Sequence, residues 1–264
     1  MGRRLRDEGP VNMANMMPSR HGRRALVTRP RAEAVALAEA LDRRGIEAII
    51  EPLLDIHYRD APAPDLADVQ ALLCTSANGV RALARRSRER GIALFAVGEA
   101  TAARARAEGF AQVESARGDI DDLARLARER LCPQHGRLLH IAGSDVAGDL
   151  TSLLRDAGFA ADRVVLYEAR PVAGLSAPIV AALRSGLIDF ALFFSPRTST
   201  VFARLAEQAG VSVGLRRVTA VSISAAADRA LGELAFGARI LAERPDQESL
   251  LAALDRVLEE RRAR

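Results

Sequence analysis

Residues 24–50 read RALVTRPRAEAVALAEALDRRGIEAII, and their order decides the fold. Ala25-Leu26-Val27-Thr28 is a short apolar strand. Over residues 31–44, Val35, Leu37, Ala38 and Leu41 recur at helical spacing. Gly45 stops that helix, because the left-handed position after a helix costs glycine little. Ile46 to Ile50 is a second strand. Strand, helix and strand in that order need a crossover connection, so the two strands pair in parallel.

The same unit of helix, glycine and apolar strand recurs around Gly91-Ile92, Gly109-Phe110, Gly158-Phe159 and Gly210-Val211. The strands fall into two sets of five. One set lies near 24–28, 46–50, 189–194, 217–223 and 238–241; the other lies near 70–74, 93–97, 111–114, 137–141 and 161–166. An internal resemblance supports the grouping. Leu26-Val27-Thr28, helix, Gly45, strand parallels Leu139-His140-Ile141, helix, Gly158, strand. Leu72-Leu73-Cys74-Thr75-Ser76 parallels Leu192-Phe193-Phe194-Ser195-Pro196. The halves read as permuted copies of one fold.

The expected architecture is α/β, with two domains, each a mainly parallel five-stranded sheet flanked by helices. Domain 1 is discontinuous, made of residues 24–51 and 172–264, and domain 2 is residues 59–164. Residues 52–58 and 165–171 look extended and each contains a proline. They are read as a two-stranded extended linker that lets the domains close on a ligand.

Composition excludes several classes of function. About half of the 264 residues are apolar, enough for two cores, with aromatics at 4% and no Trp. The net charge of +4 sits at the ends, +3 within residues 1–23 and +1 within the last six, so no basic face for nucleic acid is expected. Cys74 and Cys132 have no metal or redox spacing, and neither do His21, His57, His135 and His140. Cys74 ends an apolar run and reads as a small buried residue. No apolar run is long enough to span a bilayer. Residues 1–22 lack an apolar h-region and read as a disordered tail or a start placed too early, with Met13, Met16 and Met17 as later starts. A reducing cytoplasm is the expected location.

In open parallel sheets, ligands bind beyond the carboxyl ends of the strands. The residues there are Thr28-Arg29-Pro30, Thr75-Ser76-Ala77-Asn78-Gly79, Val97-Gly98-Glu99-Ala100-Thr101, Ala142-Gly143-Ser144, Ser195-Pro196-Arg197-Thr198 and Ser222-Ile223-Ser224-Ala225. Helix starts carry free N–H groups and the positive end of a dipole, which suit carboxylates or phosphates. Taken singly, each Ser, Thr or Asn reads as an ordinary helix cap. Their recurrence at most strand ends points to an anionic, polar substrate. No complete Gly-x-Gly-x-x-Gly, Walker loop or Gly-x-Ser-x-Gly is present, so a reaction without cofactor or metal fits best.

Several stretches resemble the uroporphyrinogen-III synthase family. They are Leu26-Val27-Thr28-Arg29-Pro30, Thr75-Ser76-Ala77-Asn78-Gly79-Val80, Val97-Gly98-Glu99-Ala100-Thr101-Ala102, Leu166-Tyr167-Glu168 and Phe193-Phe194-Ser195-Pro196-Arg197. Ala242-Glu243-Arg244-Pro245 leading to Ser249-Leu250-Leu251 completes the set. They run in the family's order across about residues 24–258. The resemblance implies two α/β domains on a two-stranded linker. It implies cyclisation of hydroxymethylbilane, a flexible linear tetrapyrrole, with loss of water and inversion of ring D. Hydroxymethylbilane synthase is the implied source of that substrate, and a monomer is implied.

The same resemblance assigns Tyr167 to assisting departure of the hydroxyl, since a phenol is protonated at neutral pH. It assigns Thr101 to a substrate hydrogen bond. Arg29, Ser76, Asn78, Gly98, Gly143, Ser144, Ser195, Arg197 and Ser224 are the implied substrate-binding positions. Two departures stand out. The family's Ile-Gly-Pro-x-Thr reads Ile223-Ser224-Ala225-Ala226-Ala227, which places Ala227 where the threonine stands. A frequent arginine is replaced around Ala147-Gly148. The alternative reading is a non-catalytic protein of the same fold that binds a tetrapyrrole or small anion. A flavodoxin-like nucleotide regulator would need a phosphate loop or an acidic cluster at strand ends, and neither is present.

Overall fold

A computed structural model of the chain describes residues 22–146 and 148–262, without the side chains of residues 32 and 262. The tail expected over 1–22 lies outside the described residues except for Gly22, and so does Ala147. The elements run β1 (Arg23–Val27), α1 (Arg31–Asp42), β2 (Ile46–Ile50), β3 (Leu54–Tyr58), β4 (Val69–Cys74), α2 (Ala77–Arg86), β5 (Ala93–Ala96), α3 (Glu99–Ala107), β6 (Val113–Ser115), α4 (Ile120–Arg130), β7 (Arg137–Gly143), α5 (Leu150–Asp156) and β8 (Ala161–Pro171). They continue with α6 (Ala177–Arg184), β9 (Phe190–Phe193), α7 (Pro196–Gln208), α8 (Ser212–Leu215), β10 (Thr219–Ser222), α9 (Ala225–Arg229), β11 (Ala238–Leu241) and α10 (Gln247–Arg262).

The chain divides into two compact units. Among the described residues, one takes those up to Asp55 and again from Pro171 on; the other lies within Ile56–Arg170. The first unit holds a five-stranded sheet in the order β11-β10-β9-β1-β2, parallel throughout. Its core on one face joins Val27, Leu37, Leu41, Phe190 and Leu192 to the buried stripe of α10, Leu250, Leu251, Leu254 and Leu258. That stripe follows the 3.6-residue period, and each buried leucine contributes about 2 kcal/mol of transfer free energy before entropy is counted. Phe193, Phe202 and Phe236 form an aromatic cluster, Phe193 and Phe202 edge to face at 5.1 Å.

The second unit holds six strands in the order β3-β8-β7-β4-β5-β6, and the five from β8 to β6 pair in parallel. One face is packed by Leu72, Leu83, Leu94, Leu139, Ile141 and Tyr167, the other by Leu73, Phe95, Leu123, Leu138 and Leu154. Both faces are covered by helices, which is why its strands read as near-continuous apolar runs. The orders β2-β1-β9-β10-β11 and β8-β7-β4-β5-β6 correspond strand for strand, as the internal resemblance predicts.

The structure corrects three expectations. The second sheet has six strands, not five, because β3 joins its edge. The Arg59 N–H donates to Leu166 O at 2.9 Å and the Val172 N–H to Leu53 O at 3.1 Å, so β3 runs antiparallel to β8. The two segments read as a two-stranded extended linker do pair with each other: β8 continues unbroken for 11 residues, and β3 satisfies its outer backbone groups. Gly45, Gly109, Gly158 and Gly210 take positive φ after their helices, but Gly91 does not; α2 ends at Arg86 and an extended Ser87 leads away. After Gly210 the chain forms the short helix α8 before β10, so no strand starts at Val211.

Candidate functional site

The site follows from strand register. Cys74 at the end of β4 stands beside Ala96 of β5 on one side and Ile141 of β7 on the other. The turns after these strands therefore lie side by side at strand spacing, about 5 Å apart. In sequence order the chain builds β4, β5 and β6 to one side, then β7 and β8 to the other. The gap between β4 and β7 is the point where the winding reverses, the usual place for a ligand in such sheets.

Ser76 opens α2. Its Oγ accepts the Asn78 N–H at 3.1 Å. Asn78 is buried, and its Oδ1 accepts from Arg81 Nη1 at 2.9 Å. Gly79 follows in the first turn because α2 runs close over β7: a Cβ there would sit 2.8 Å from Ile141 O. Gly98 opens α3 with no side chain to cap it, which leaves the first N–H groups of that helix available. Thr101, one turn in, is 6% exposed, and its hydroxyl makes no hydrogen bond among the described residues.

A bulge between Ala142 and Gly143 sets Gly143 opposite Tyr167 of β8. The Tyr167 ring fills the space a Cβ on Gly143 would need, with ring carbons 2.9 Å from it. Tyr167 is 8% exposed and packs with Leu139, Ile141 and Leu166. The Ser144 N–H donates to Tyr167 O at 3.0 Å, and Ser144 Oγ donates to Asp145 Oδ2 at 2.9 Å. Ser76, Asn78, Gly98, Thr101, Gly143, Ser144 and Tyr167 therefore share the carboxyl edge of one sheet.

Arg29, Ser195, Arg197 and Ser224 stand at the carboxyl edge of the other sheet. Here the reversal lies between β1 and β9. Thr28 Oγ1 donates to Leu192 O across it at 2.9 Å, fully buried. The Arg29 guanidinium stacks 4.4 Å from the Phe194 ring centroid, pairs with Glu33 at 3.1 Å and donates to Gln247 Oε1 at 3.0 Å. Ser195 Oγ accepts the Thr198 N–H at 3.2 Å, and Ser224 Oγ accepts the Ala227 N–H at 3.2 Å. Both serines act as helix caps. Arg197 is half-buried in the first turn of α7. Ala227 is fully buried.

Sequence reasoning missed one polar contact beside these turns. His140 of β7 is 2% exposed, and its Nε2 lies 3.3 Å from Thr75 Oγ1. Burial, with the Arg163 charge beside it, pushes its pKa down to about 4. The available signal was a lone histidine inside an apolar strand. Cys74 on β4 is fully buried, which pushes its thiol up to about 12 and keeps it inert.

Known proteins match this chain in sequence family and in fold. The family model for uroporphyrinogen-III synthase HemD matches residues 35–252. The uroporphyrinogen-III synthetase structure from Helicobacter pylori superposes with a TM-score of 0.60 at 18% identity, over 89% of this chain and 99% of that one. A mutant uroporphyrinogen III synthase from the extremely thermophilic bacterium Thermus thermophilus gives 0.51 at 20% identity, over 90% of this chain and 99% of that one. At these identities the two structures attest the fold. Among curated proteins no sequence matches. The family model covers far more than half of the chain, and the chain belongs to the uroporphyrinogen-III synthase family.

Proposed function

We propose that the chain closes hydroxymethylbilane to uroporphyrinogen III, with inversion of ring D and loss of one water, as a cofactor-independent lyase of tetrapyrrole biosynthesis. The observation that carries this reading is the grouping of Tyr167, Gly143, Ser144, Ser76, Asn78, Gly98 and Thr101 on one sheet edge in a member of this family. The chemistry needs no cofactor. Electron release from the ring A pyrrole expels the hydroxyl once it is protonated, leaving an azafulvene-like cation. The substituted carbon of ring D attacks that cation to give a spiro intermediate; its bond to the neighbouring bridge carbon breaks, and that bridge carbon is recaptured by the unsubstituted α-carbon of ring D, whose proton is released and restores the acid, leaving ring D inverted.

Within this reading Tyr167 donates the proton to the departing hydroxyl. Thr101 offers a hydroxyl with no competing partner among the described residues, and the open start of α3 and the turns at Ser76 and Gly143 receive substrate carboxylates. Without the enzyme the chain closes without inversion, so the protein's main contribution is to hold one conformation of the substrate. The paired segments around β3 and the end of β8 act as a hinge. The enzyme works as a cytoplasmic monomer and takes its unstable substrate from hydroxymethylbilane synthase. Among the described residues no helix is long and apolar enough to cross a membrane.

The test is isomer analysis. Hydroxymethylbilane generated in situ is given to the protein without added cofactor or metal, and the oxidised porphyrins are separated. A dominant type III isomer is expected. Type I alone, at the spontaneous rate, would leave a binding protein of the same fold.

A further inference from the structure

His140 alternates along β7 with Leu139 and Ile141, which pack on the Tyr167 side of the sheet, so its ring leaves by the other face. On that face the second unit holds a cavity of about 610 Å³, lined by His140, Gly148, Thr151, Arg155, Asp162 and Arg163 among others. The corresponding strand position in the first unit is the core valine Val27. A histidine stands where the first unit has a core valine, at the buried margin of this cavity.

The hydrogen-bonding capacity of the walls is unevenly used. Asp149 is committed to Ser152, accepting its N–H at 3.0 Å and its hydroxyl at 2.6 Å. Asp162 pairs with Arg137 at 3.2 Å and Arg155 at 3.5 Å. The unspent groups are donors. Thr151 is 6% exposed, and its Oγ1 is buried without a hydrogen-bond partner among the described residues. Arg163 Nη2 donates to Gly143 O at 2.7 Å and Ser144 O at 2.8 Å, and no carboxylate stands within ion-pair distance of it among the described residues.

We propose that this cavity is a subsite for a single carboxylate group, received by Arg163, the Thr151 hydroxyl and the His140 ring. A buried hydroxyl without a partner is costly, and a carboxylate oxygen satisfies it. The two carbonyls pin the guanidinium before the ligand arrives, so little ordering is left for binding. One uncommitted cation matches one negative charge. A phosphate dianion would meet the fields of Asp149 and Asp162 with a single counter-charge. The carboxylate comes either from an acetate or propionate arm of the substrate, which rests on the function proposed above, or from a free short-chain acid.

The probe is sodium propionate, titrated into the isotope-labelled full chain and followed by amide NMR. Saturable shifts are expected at Gly148, Leu150 and Thr151. Arg163→Gln should weaken binding roughly tenfold and Thr151→Val a few-fold. Arg163→Lys, which keeps the charge, should fall between wild type and Arg163→Gln, and it serves if the glutamine variant melts early. Absence of saturable shifts overturns the proposal, as do shifts unchanged by both substitutions or inorganic phosphate binding as tightly as propionate. With the site present, competition between uroporphyrinogen and propionate identifies a substrate arm, and simultaneous binding identifies a free acid. Propionate binding by a protein that yields only type I porphyrin would separate this proposal from the catalytic one.

Discussion

The two sheets share one strand order and differ in what stands where the winding reverses. In the first unit the gap between β1 and β9 is closed by committed groups. Thr28 spans it to Leu192 O, and Arg29 is stacked on Phe194 and paired with Glu33. In the second unit the gap between β4 and β7 is edged by Gly143 under the Tyr167 ring, and one strand further on lie an uncapped α3 and the Thr101 hydroxyl, which makes no hydrogen bond among the described residues. One strand order thus supports a braced edge in one copy and, in the other, an edge with hydrogen-bonding capacity to spare.

The sharpest way to break this comparison is Tyr167→Phe. Loss of the proposed general acid should lower kcat roughly a hundredfold or more with little change in melting temperature, read from initial rates and thermal unfolding. An unchanged kcat would remove the second edge's claim to the chemistry.

Next comes pH. His140 has a folded pKa of about 4 against 6.5 for the free side chain. As pH falls the unfolded chain takes up the proton first, so the stability from this group is complete above pH 6.5 and is lost toward pH 4. The loss totals about 3 kcal/mol. Denaturant unfolding at pH 7 and pH 4.5 measures it. His140→Val, which copies Val27 of the first unit, should flatten that part of the profile.

Gly79→Ala should cost about 2 kcal/mol, because its Cβ would meet the Ile141 carbonyl at 2.8 Å, and that oxygen belongs to a central strand which cannot shift cheaply. The smallest effect is expected at the braced edge. Thr28→Val removes one buried hydrogen bond, about 1 kcal/mol by denaturant unfolding, and leaves kcat as it was. A large loss of kcat in Thr28→Val would show that the first edge does more than support its sheet.

Much of the architecture was legible in local sequence. Apolar runs of four to six residues separated by helical periodicity and glycine stops give parallel strands, since a crossover helix leaves no other pairing. The parallels between Leu26-Val27-Thr28 and Leu139-His140-Ile141, and between the β4 and β9 segments, show in the matched strand orders. The role of Ser76, Ser195 and Ser224 as caps also follows from residue type and place, and all three accept an N–H from the first turn of their helices.

What sequence alone determined, then, is the periodic part: which segments are strands, which are helices, how they group, and the family. Tertiary structure decided the rest, because it depends on contacts between residues far apart in the chain. Residues 52–58 and 165–171 read as two extended partners in sequence, but only there does their pairing make β3 the sixth strand of the second sheet, since β8 carries its own sheet pairing with β7 into that segment. Only there does Gly143 acquire its reason, as the one residue small enough to lie under the Tyr167 ring. The state of Arg29 is settled the same way: a carboxylate four residues on, an aromatic ring from β9's end and a glutamine from α10 converge on it, and a cation that reads as free in sequence is engaged in the fold.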